Sequence, residues 1–587
     1  MIVLFLACMA IYMANGTSIG SGDTVPNTLL GFNLLEHQKI DFDNFRGSTY
    51  QPANCYWFKN IPSGHLVSLY PIGSAVVSFP ICVVFWAHLK AINTQVDITS
   101  SAFEPYRQSF EHLAASTIAS FSVALFYLVS RLKFTRMTSL ITTCVFAFAT
   151  NEWVTCSSGL WQHGSSNLML LGTFYGLLRA NHETMNSKQK ALLLAAGLCC
   201  GLLLVIRPTN LIFFLVAVCY CLVRFRAASL YFLVGLSSAV PCLVYNLMNF
   251  GNLIGGYGGN QFNGVFSFAN FQTSCLGTLF SPGRGLLVYS PVLVFSSVGI
   301  WQLLRKLKSL TDDEQIILLL TGASLLYISF FFFYGMWWGG HCYGPRFMTE
   351  ALPVLVFLTN YFVSNIFENR SLINTLAAAI FSLLLAFSLA VQVVGAFGLG
   401  GNEWNPIPLN VDEFQWRLWS THDSPIERHA RSLFHTLFPD SPQPGNQPTA
   451  LIGKVLSATD ESGHTLASPL IVHSGESKVL RVAVQNLGTT KWTGYESGVT
   501  SARVCLEATV VDQTTHDAEP AGILYVASSP GHGQESAAIG KVTFPSKCGD
   551  YLLVAPLTWT NKLGTKIPNS PFVMKVQVVP PPLPEGQ

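Results

Sequence analysis

The sequence predicts a mostly α-helical membrane protein: a bundle of about 11 transmembrane helices over residues 1–398, then an all-β domain. Three observations carry this. Half of the 587 residues are apolar and only 11% are charged, where an ordinary soluble domain carries about 25% charge. Residues 1–400 hold 34 charged side chains and residues 401–587 hold 30, so charge density nearly doubles in the last third. Residues 448–580 replace long apolar runs with period-two alternation and turn residues. Together these exclude a soluble globular enzyme, a disordered chain and a nucleic-acid binder with a basic face. The net charge of +2 says nothing about partners.

A membrane helix needs about 20 mostly apolar residues. Runs with few or no charges occur at 2–14, 66–89, 113–130, 137–151, 164–178, 191–206, 208–223, 227–250, 285–304, 315–338, 351–367 and 372–398. Several are short and must borrow polar flanks. The first lacks a small-residue cleavage site followed by a soluble chain, so it reads as an anchor rather than a signal peptide.

Lys and Arg in short connections set the orientation. From residue 131 on, one alternate set of connections holds 12 positive residues: Arg131, Lys133, Arg136, Arg179, Lys188, Lys190, Arg224, Arg226, Arg305, Lys306, Lys308 and Arg370. The opposite set holds Arg207, Arg284 and Arg346. The first set is therefore expected in the cytoplasm, with the second set and the tail after residue 398 outside. The run 66–89 breaks this parity if it spans. Pro71 and Pro80 interrupt it, and Tyr70, Trp86 and His88 suit an interface. Either it lies along the outer interface or re-enters, or it spans and the N-terminus is outside; the first is the preferred expectation, within an outer loop from about 16 to 110.

The unusual motifs then collect on one face. They are Gly22-Asp23-Thr24-Val25-Pro26, Leu160-Trp161-Gln162-His163-Gly164, Arg207-Pro208-Thr209-Asn210, Gly255-Gly256-Tyr257-Gly258-Gly259, Ser281-Pro282-Gly283-Arg284-Gly285 and Trp338-Gly339-Gly340-His341-Cys342-Tyr343-Gly344-Pro345-Arg346. Gly and Pro allow tight turns and close backbone approach, while Arg and His donate to phosphate, Arg in bidentate fashion. Asp23 is the candidate general base. His163, Arg207, Tyr257, Arg284, His341, Tyr343 and Arg346 are the candidate substrate-binding residues. Each has a plainer reading. The arginines can be snorkelling helix-end anchors, the histidines interfacial polar residues, and Asp23 a helix cap. No GxSxG elbow, HExxH pair or Walker loop is present.

One chemistry suits the set. An anionic lipid-linked donor presents its phosphate to Arg and His at the outer boundary, and a carboxylate deprotonates an acceptor hydroxyl.

The chain also resembles the GT-C-type integral-membrane glycosyltransferases, which include protein O-mannosyltransferases and lipid A aminoarabinose transferases. It looks closest to a bacterial multi-pass group. The carriers are GDTVPNTLLGFNLLEHQKIDFDNF, VSLYPIGSAVVSFP, LWQHG, IRPTN, FSPGRGLLVYSP, WWGGHCYGPRF and LWSTHDSPIER, spread over about residues 1–430. The resemblance implies a GT-C-like bundle in the cytoplasmic membrane and a sugar donor linked to polyprenyl phosphate. It places Asp23 at the position of the catalytic base and Tyr70-Pro71 in a juxtamembrane stretch of the first outer loop. No organic cofactor is implied. A divalent metal is the one candidate cofactor, with its ligands unknown, because a clear Asp-Glu doublet after the first span is missing. Asp41 and Asp43 are second-choice acids.

Residues 399–447 form a polar connector rich in Pro and Trp, including Trp404, Trp416 and Trp419, whose aromatics suit the outer interface. Residues 448–587 read as an immunoglobulin-like sandwich with a binding or spacing role, since Leu480, Val482 and Val484 alternate with Arg481, Ala483 and Gln485. Cys505 and Cys548 either pair, if this domain is extracytoplasmic, or stand as free thiols.

The preferred function is sugar transfer from a polyprenyl-phosphate donor to an extracytoplasmic glycan, lipid or protein, with membrane lipid as the other partner and no nucleic acid. The alternatives are a transporter or flippase of lipid-linked sugar, which would want polar groups at mid-membrane, and a non-catalytic scaffold presenting the β domain.

Overall fold

The computed structural model describes the chain apart from residues 54, 95, 185, 259–264, 369–370, 439–450, 561–564 and 583–587. Gly259 and Arg370, both named above, and residues 439–447 of the connector lie outside the described residues. The chain forms two compact units, Met1–Ala396 and Phe397–Gln587.

In the first unit the apolar runs fall on helix. Among the described residues, seven helical stretches are long and apolar enough to cross a membrane: Gly73–Ala91, Ser101–Arg131, Ser187–Ile206, Pro208–Phe250, Asp312–Phe333, Arg346–Glu368 and Leu372–Phe397. Ile2–Asn15, Arg136–Phe148 and Pro291–Arg305 are apolar but shorter. This is a multi-pass membrane protein. The stretch Pro208–Phe250 is two successive pieces, because the helix Leu211–Phe225 breaks at Arg226, whose φ is 48°. The run 164–178 becomes the helix Gln162–Asn181. It begins with Gln162, His163, Ser165, Ser166 and Asn167, all buried, so it is too polar to stand among the seven.

The segment 66–89 divides into a short strand and a helix. Strand β1 (Phe58–Asn60) pairs antiparallel with β2 (Leu66–Ser68), and the helix Gly73–Ala91 follows. By length and composition this helix can cross a membrane, and it is packed at both ends. At its start, a Cβ on Gly73 would sit 2.8 Å from Ile206 Cα, where the helix Ser187–Ile206 ends. Near its end Phe85 packs on Phe32 and Phe110, and Lys90 and Trp86 bind Glu36 at 2.7 and 2.8 Å.

The second unit begins with one-turn helices at Leu399–Trp404 and Gln415–Trp419 and the helix Pro425–Leu437. Ser424 and Glu427 cap that helix reciprocally. Trp404 is buried, donates to the Asp423 carbonyl at 2.5 Å and stacks under Arg417, whereas Trp416 and Trp419 are half-exposed.

Among the described residues eight strands follow: β3 (Gly453–Thr459), β4 (Leu470–His473), β5 (Ser477–Asn486), β6 (Val504–Asp512), β7 (Ala518–Val526), β8 (Glu535–Thr543), β9 (Gly549–Trp559) and β10 (Thr565–Val579). Leu480, Val482 and Val484 are fully buried, as the alternation requires. The strands make one continuous sheet in the order β3-β5-β8-β7-β6-β9-β10-β4, with β10 and β4 parallel. That differs from the two separate sheets of an immunoglobulin sandwich. The inward faces of this one sheet share a single core around Trp492, Leu506, Val526, Leu553 and Leu557.

Cys505 and Cys548 are free, the first buried and the second exposed. The antiparallel register of β6 and β9 explains this. Cys505 faces Thr558 near the end of β9, while Cys548 precedes Gly549 at its beginning.

Candidate active site

The segment Gly20–Val25 leaves the first helix and turns tightly before the helix Val25–His37. Two glycines make the turn fit. A Cβ on Gly20 would meet Glu111 Oε1 at 2.3 Å, and one on Gly22 would meet the Trp57 ring at 2.3 Å. The Ser21 hydroxyl accepts from the Asp23 backbone N–H, so Ser21 supplies the local cap and the Asp23 carboxylate takes no part in capping.

The Asp23 carboxylate is fully engaged elsewhere. Tyr70 and Tyr56 donate to Oδ1 at 2.7 and 3.1 Å. Arg346 Nη1 donates to Oδ2 at 2.7 Å. Burial pushes the Asp23 carboxyl up, but the Arg346 charge and the hydrogen bonds from Tyr70, Arg346 and Tyr56 outweigh it and hold Asp23 below the usual carboxylate range. The Arg346 guanidinium lies 4.3 Å from the centre of the Trp161 ring, a cation–π contact, and its buried Nε has no partner among the described residues.

A second charged cluster sits one helical turn on. Glu350 is fully buried. It accepts from Arg207 in a short contact, from Tyr327 OH at 2.8 Å, and meets His163 Nδ1 at 2.9 Å. Arg207 and Arg346 both lie against the Phe347 ring, at 5.7 and 5.4 Å. The two clusters thus flank one aromatic side chain.

The segment 151–163 joins these parts. Asn151 Nδ2 donates to the Tyr343 carbonyl at 3.1 Å, three residues before Arg346. At the other end the Ile19 N–H donates to the Ser158 carbonyl at 2.6 Å, and Trp161 Nε1 donates to the Ile19 carbonyl at 3.2 Å. Glu111 accepts from the Leu160 N–H at 3.2 Å and from Arg107 at 3.0 Å, and Arg107 also reaches Thr28 at 3.0 Å. The loop carrying Asp23 is thereby fixed to the loop carrying Trp161, which stacks on Arg346.

Of the residues singled out in the sequence, Asp23, His163, Arg207 and Arg346 come together. Tyr257 adjoins them. Its ring packs edge-on to Tyr70 at 5.9 Å, within electrostatic reach of Arg207, Asp23 and Arg346. The other three are placed differently. Arg284 is 1% exposed and donates to the carbonyls of Gly283, Trp338 and Gly340 at 2.8–3.2 Å, so it organises the 338–340 loop. Tyr343 is buried against the helix Leu372–Phe397, donating to the Val391 carbonyl at 2.7 Å and filling the space beside Gly395. His341 is exposed.

Sequence reasoning missed Glu350, Tyr327, Tyr56 and Trp161 as partners. Glu350 was legible only as a lone acid at the head of an apolar run, a position easily taken for a helix end.

Among the described residues, one group of three could hold a metal ion: Asp41, Asp43 and His65, whose ligand atoms lie within 4.8 Å of one another. Its oxygens are already committed. Asp43 Oδ1 accepts from the Leu66 N–H at 2.7 Å and from Arg46 at 3.0 Å, and Oδ2 meets His65 at 2.6 Å. A guanidinium on the same carboxylate opposes a second cation, so these residues fit an ion-pair cluster rather than a metal seat. Burial raises the Asp43 carboxyl, and the bonds from His65, Leu66 and Arg46 outweigh it, bringing it to about 2.

No known family profile and no curated protein matches the chain. Solved structures do show similarity. The oligosaccharyltransferase of Archaeoglobus fulgidus is 13% identical with a TM-score of 0.41, covering 71% of this chain and 59% of its own. The ArnT protein of Cupriavidus metallidurans, solved with undecaprenyl phosphate, is 10% identical with a TM-score of 0.40, covering 69% of this chain and 72% of its own. The arabinosyltransferase EmbB of Mycobacterium smegmatis is 12% identical with a TM-score of 0.31, covering 98% of this chain and 64% of its own. The chain therefore spans about three fifths of the length of the Archaeoglobus protein.

Proposed function

We propose that this protein is a membrane glycosyltransferase of GT-C type that moves a sugar from a polyprenyl-phosphate donor to an extracytoplasmic acceptor. The observation that carries this reading is the pairing of Asp23 with Arg346, residues 323 apart in the chain. In the proposed cycle the donor phosphate replaces Asp23 on the Arg346 guanidinium. Arg346 offers a planar fork with an unpartnered Nε, which suits a phosphate. Releasing Asp23 from its cation raises its basicity, so the carboxylate accepts the proton of the acceptor hydroxyl as that oxygen attacks the anomeric carbon. The lipid phosphate leaves with its charge held by Arg346, and Arg207 stands one aromatic ring away.

Glu350 neutralises Arg207 and fixes His163 in this scheme. No step is assigned to a metal. In this reading the site faces out of the cytoplasmic membrane, which the distribution of Lys and Arg supports.

The test is glycan analysis, with donor consumption by the purified protein, in wild type against Asp23→Asn at equal expression. Transfer is expected to fall at least about 10²-fold. Indistinguishable glycans and turnover would remove Asp23 from the mechanism.

A further inference from the structure

The residues Glu152–Ser157 form a turn of π-helix at the start of the segment that ties the Asp23 loop to the Arg346 loop. Single π turns interrupt the regular hydrogen-bond ladder and are frequent at functional sites. This one carries a carboxyl that the proposed mechanism does not use. Glu152 is 0% exposed, inside the membrane unit.

Its surroundings do not suit an anion. The ionisable groups that act on it, or on which it acts, are Cys156 in its own turn, Glu350, and Cys8 and Tyr12 of the first helix. None carries positive charge. An isolated carboxylate buried this way is strongly disfavoured.

The hydrogen bonding points the same way. Asn167 Nδ2 donates to Glu152 Oε2 at 2.7 Å. Among the described residues the other oxygen of each side chain, Glu152 Oε1 and Asn167 Oδ1, is buried without a well-formed hydrogen bond, and the Cys156 thiol of the same turn also acts on the Glu152 carboxyl. Two acceptors left over on two planar groups that already share one hydrogen bond lack a single proton between them.

We propose that Glu152 carries that proton and forms a cyclic carboxylic acid–carboxamide pair with Asn167, making Glu152 a positioning residue for the active site. The Glu152 O–H donates to Asn167 Oδ1 while Asn167 Nδ2–H donates to Glu152 Oε2, so both orphan oxygens are satisfied and no charge is buried. The pair clamps the π turn onto the helix Gln162–Asn181. The turn in turn sets Asn151 against the Tyr343 carbonyl, Ser158 against Ile19, and Trp161 under Arg346.

Glu152→Gln is the discriminating variant, since an amide reproduces the neutral acid, accepting through oxygen and donating through nitrogen. Infrared difference spectra of the full-length protein in nanodiscs, wild type minus Glu152→Gln at neutral pH, are expected to show a protonated-carboxyl stretch. A carboxylate band in its place would overturn the proposal. Melting temperatures supply a second reading. A carboxyl whose folded pKa is raised gives stability that is full below its unfolded pKa and lost as pH rises through the folded one. The advantage of Glu152→Gln over wild type should therefore widen from about pH 5 to about pH 8. A constant difference counts against the proton.

The kinetic arm rests on the transferase reading. Glu152→Gln should keep turnover within about twofold, whereas Glu152→Leu should lower kcat at least about tenfold with little change in KM, as expected when reacting groups are misplaced. Full turnover in Glu152→Leu would remove the positioning role even if the proton is found. A wild-type protein without transferase activity would defeat the functional reading and leave the infrared result to decide the proton.

Discussion

Arg346→Lys separates a phosphate-binding arginine from a helix-end anchor. In the structure Arg346 does two things at once, donating to Asp23 at 2.7 Å and lying flat on Trp161 at 4.3 Å from the ring centre. Lysine keeps the charge and can still reach Asp23, but it has neither the planar fork nor the flat face. A charge-assisted hydrogen bond is worth about 1.5–3 kcal/mol, so losing one weakens donor binding by roughly 10–150-fold. The cation–π contact adds about 0.5–2 kcal/mol where the site is desolvated. Folding should change little, because the ion pair with Asp23 survives. The assay is calorimetric titration of purified protein with a polyprenyl phosphate, alongside a thermal melt. Wild-type affinity in a well-folded Arg346→Lys protein would return the residue to the anchor reading. Arg346→Met carries a pH signature as well. Asp23 is held low by Arg346, so removing the cation raises its pKa and moves the acid limb of turnover to higher pH. An unmoved limb would mean that Asp23 is not the group being titrated.

Three further outcomes are expected. Glu350→Gln leaves Arg207 buried without its anion and should lower stability by about 3–5 kcal/mol, while the double variant with Arg207→Gln should lose less than the sum of the two singles in fluorescence melts. Trp492→Ala empties the core of the β unit at a cost of about 3–5 kcal/mol, and limited proteolysis should then degrade residues 453–579 while the helices of Met1–Ala396 stay protected. Asp43, held near 2, contributes stability that is present above the ordinary aspartate pKa and lost as pH falls through about 2, so melting curves should show an acid loss between about pH 4 and pH 2 that Asp43→Asn abolishes.

Much of this protein was legible in one dimension because burial leaves a local trace. A helix facing lipid must be apolar along its length, and a strand with one buried face must alternate. The apolar runs therefore fall on helix, and Leu480, Val482 and Val484 point into the β core. The gathering of Asp23, His163, Arg207 and Arg346 also had a signal, since the positive-inside rule leaves few cations on the outer side and those few stand out.

Partner choice left no such trace. Nothing in the sequence couples Asp23 to Arg346, because only the packing of helices distant in sequence brings them to 2.7 Å. Arg284 looks like Arg207 along the chain, each being a single cation beside a proline and small residues. The fold spends Arg284 on loop carbonyls and Arg207 on Glu350. Glu350 and Glu152 each read as a lone acid beside an apolar run, and their roles follow only from what surrounds them: the Arg207 guanidinium with His163 and Tyr327 for the first, the Asn167 amide for the second. The sheet order was equally hidden, since alternation dictates which face of a strand is buried and not which strand lies beside it. Apolar burial is a property of each segment, so the sequence determined the elements. Pairing of charges and strands is a property of segments brought together, so only the tertiary structure decided the site.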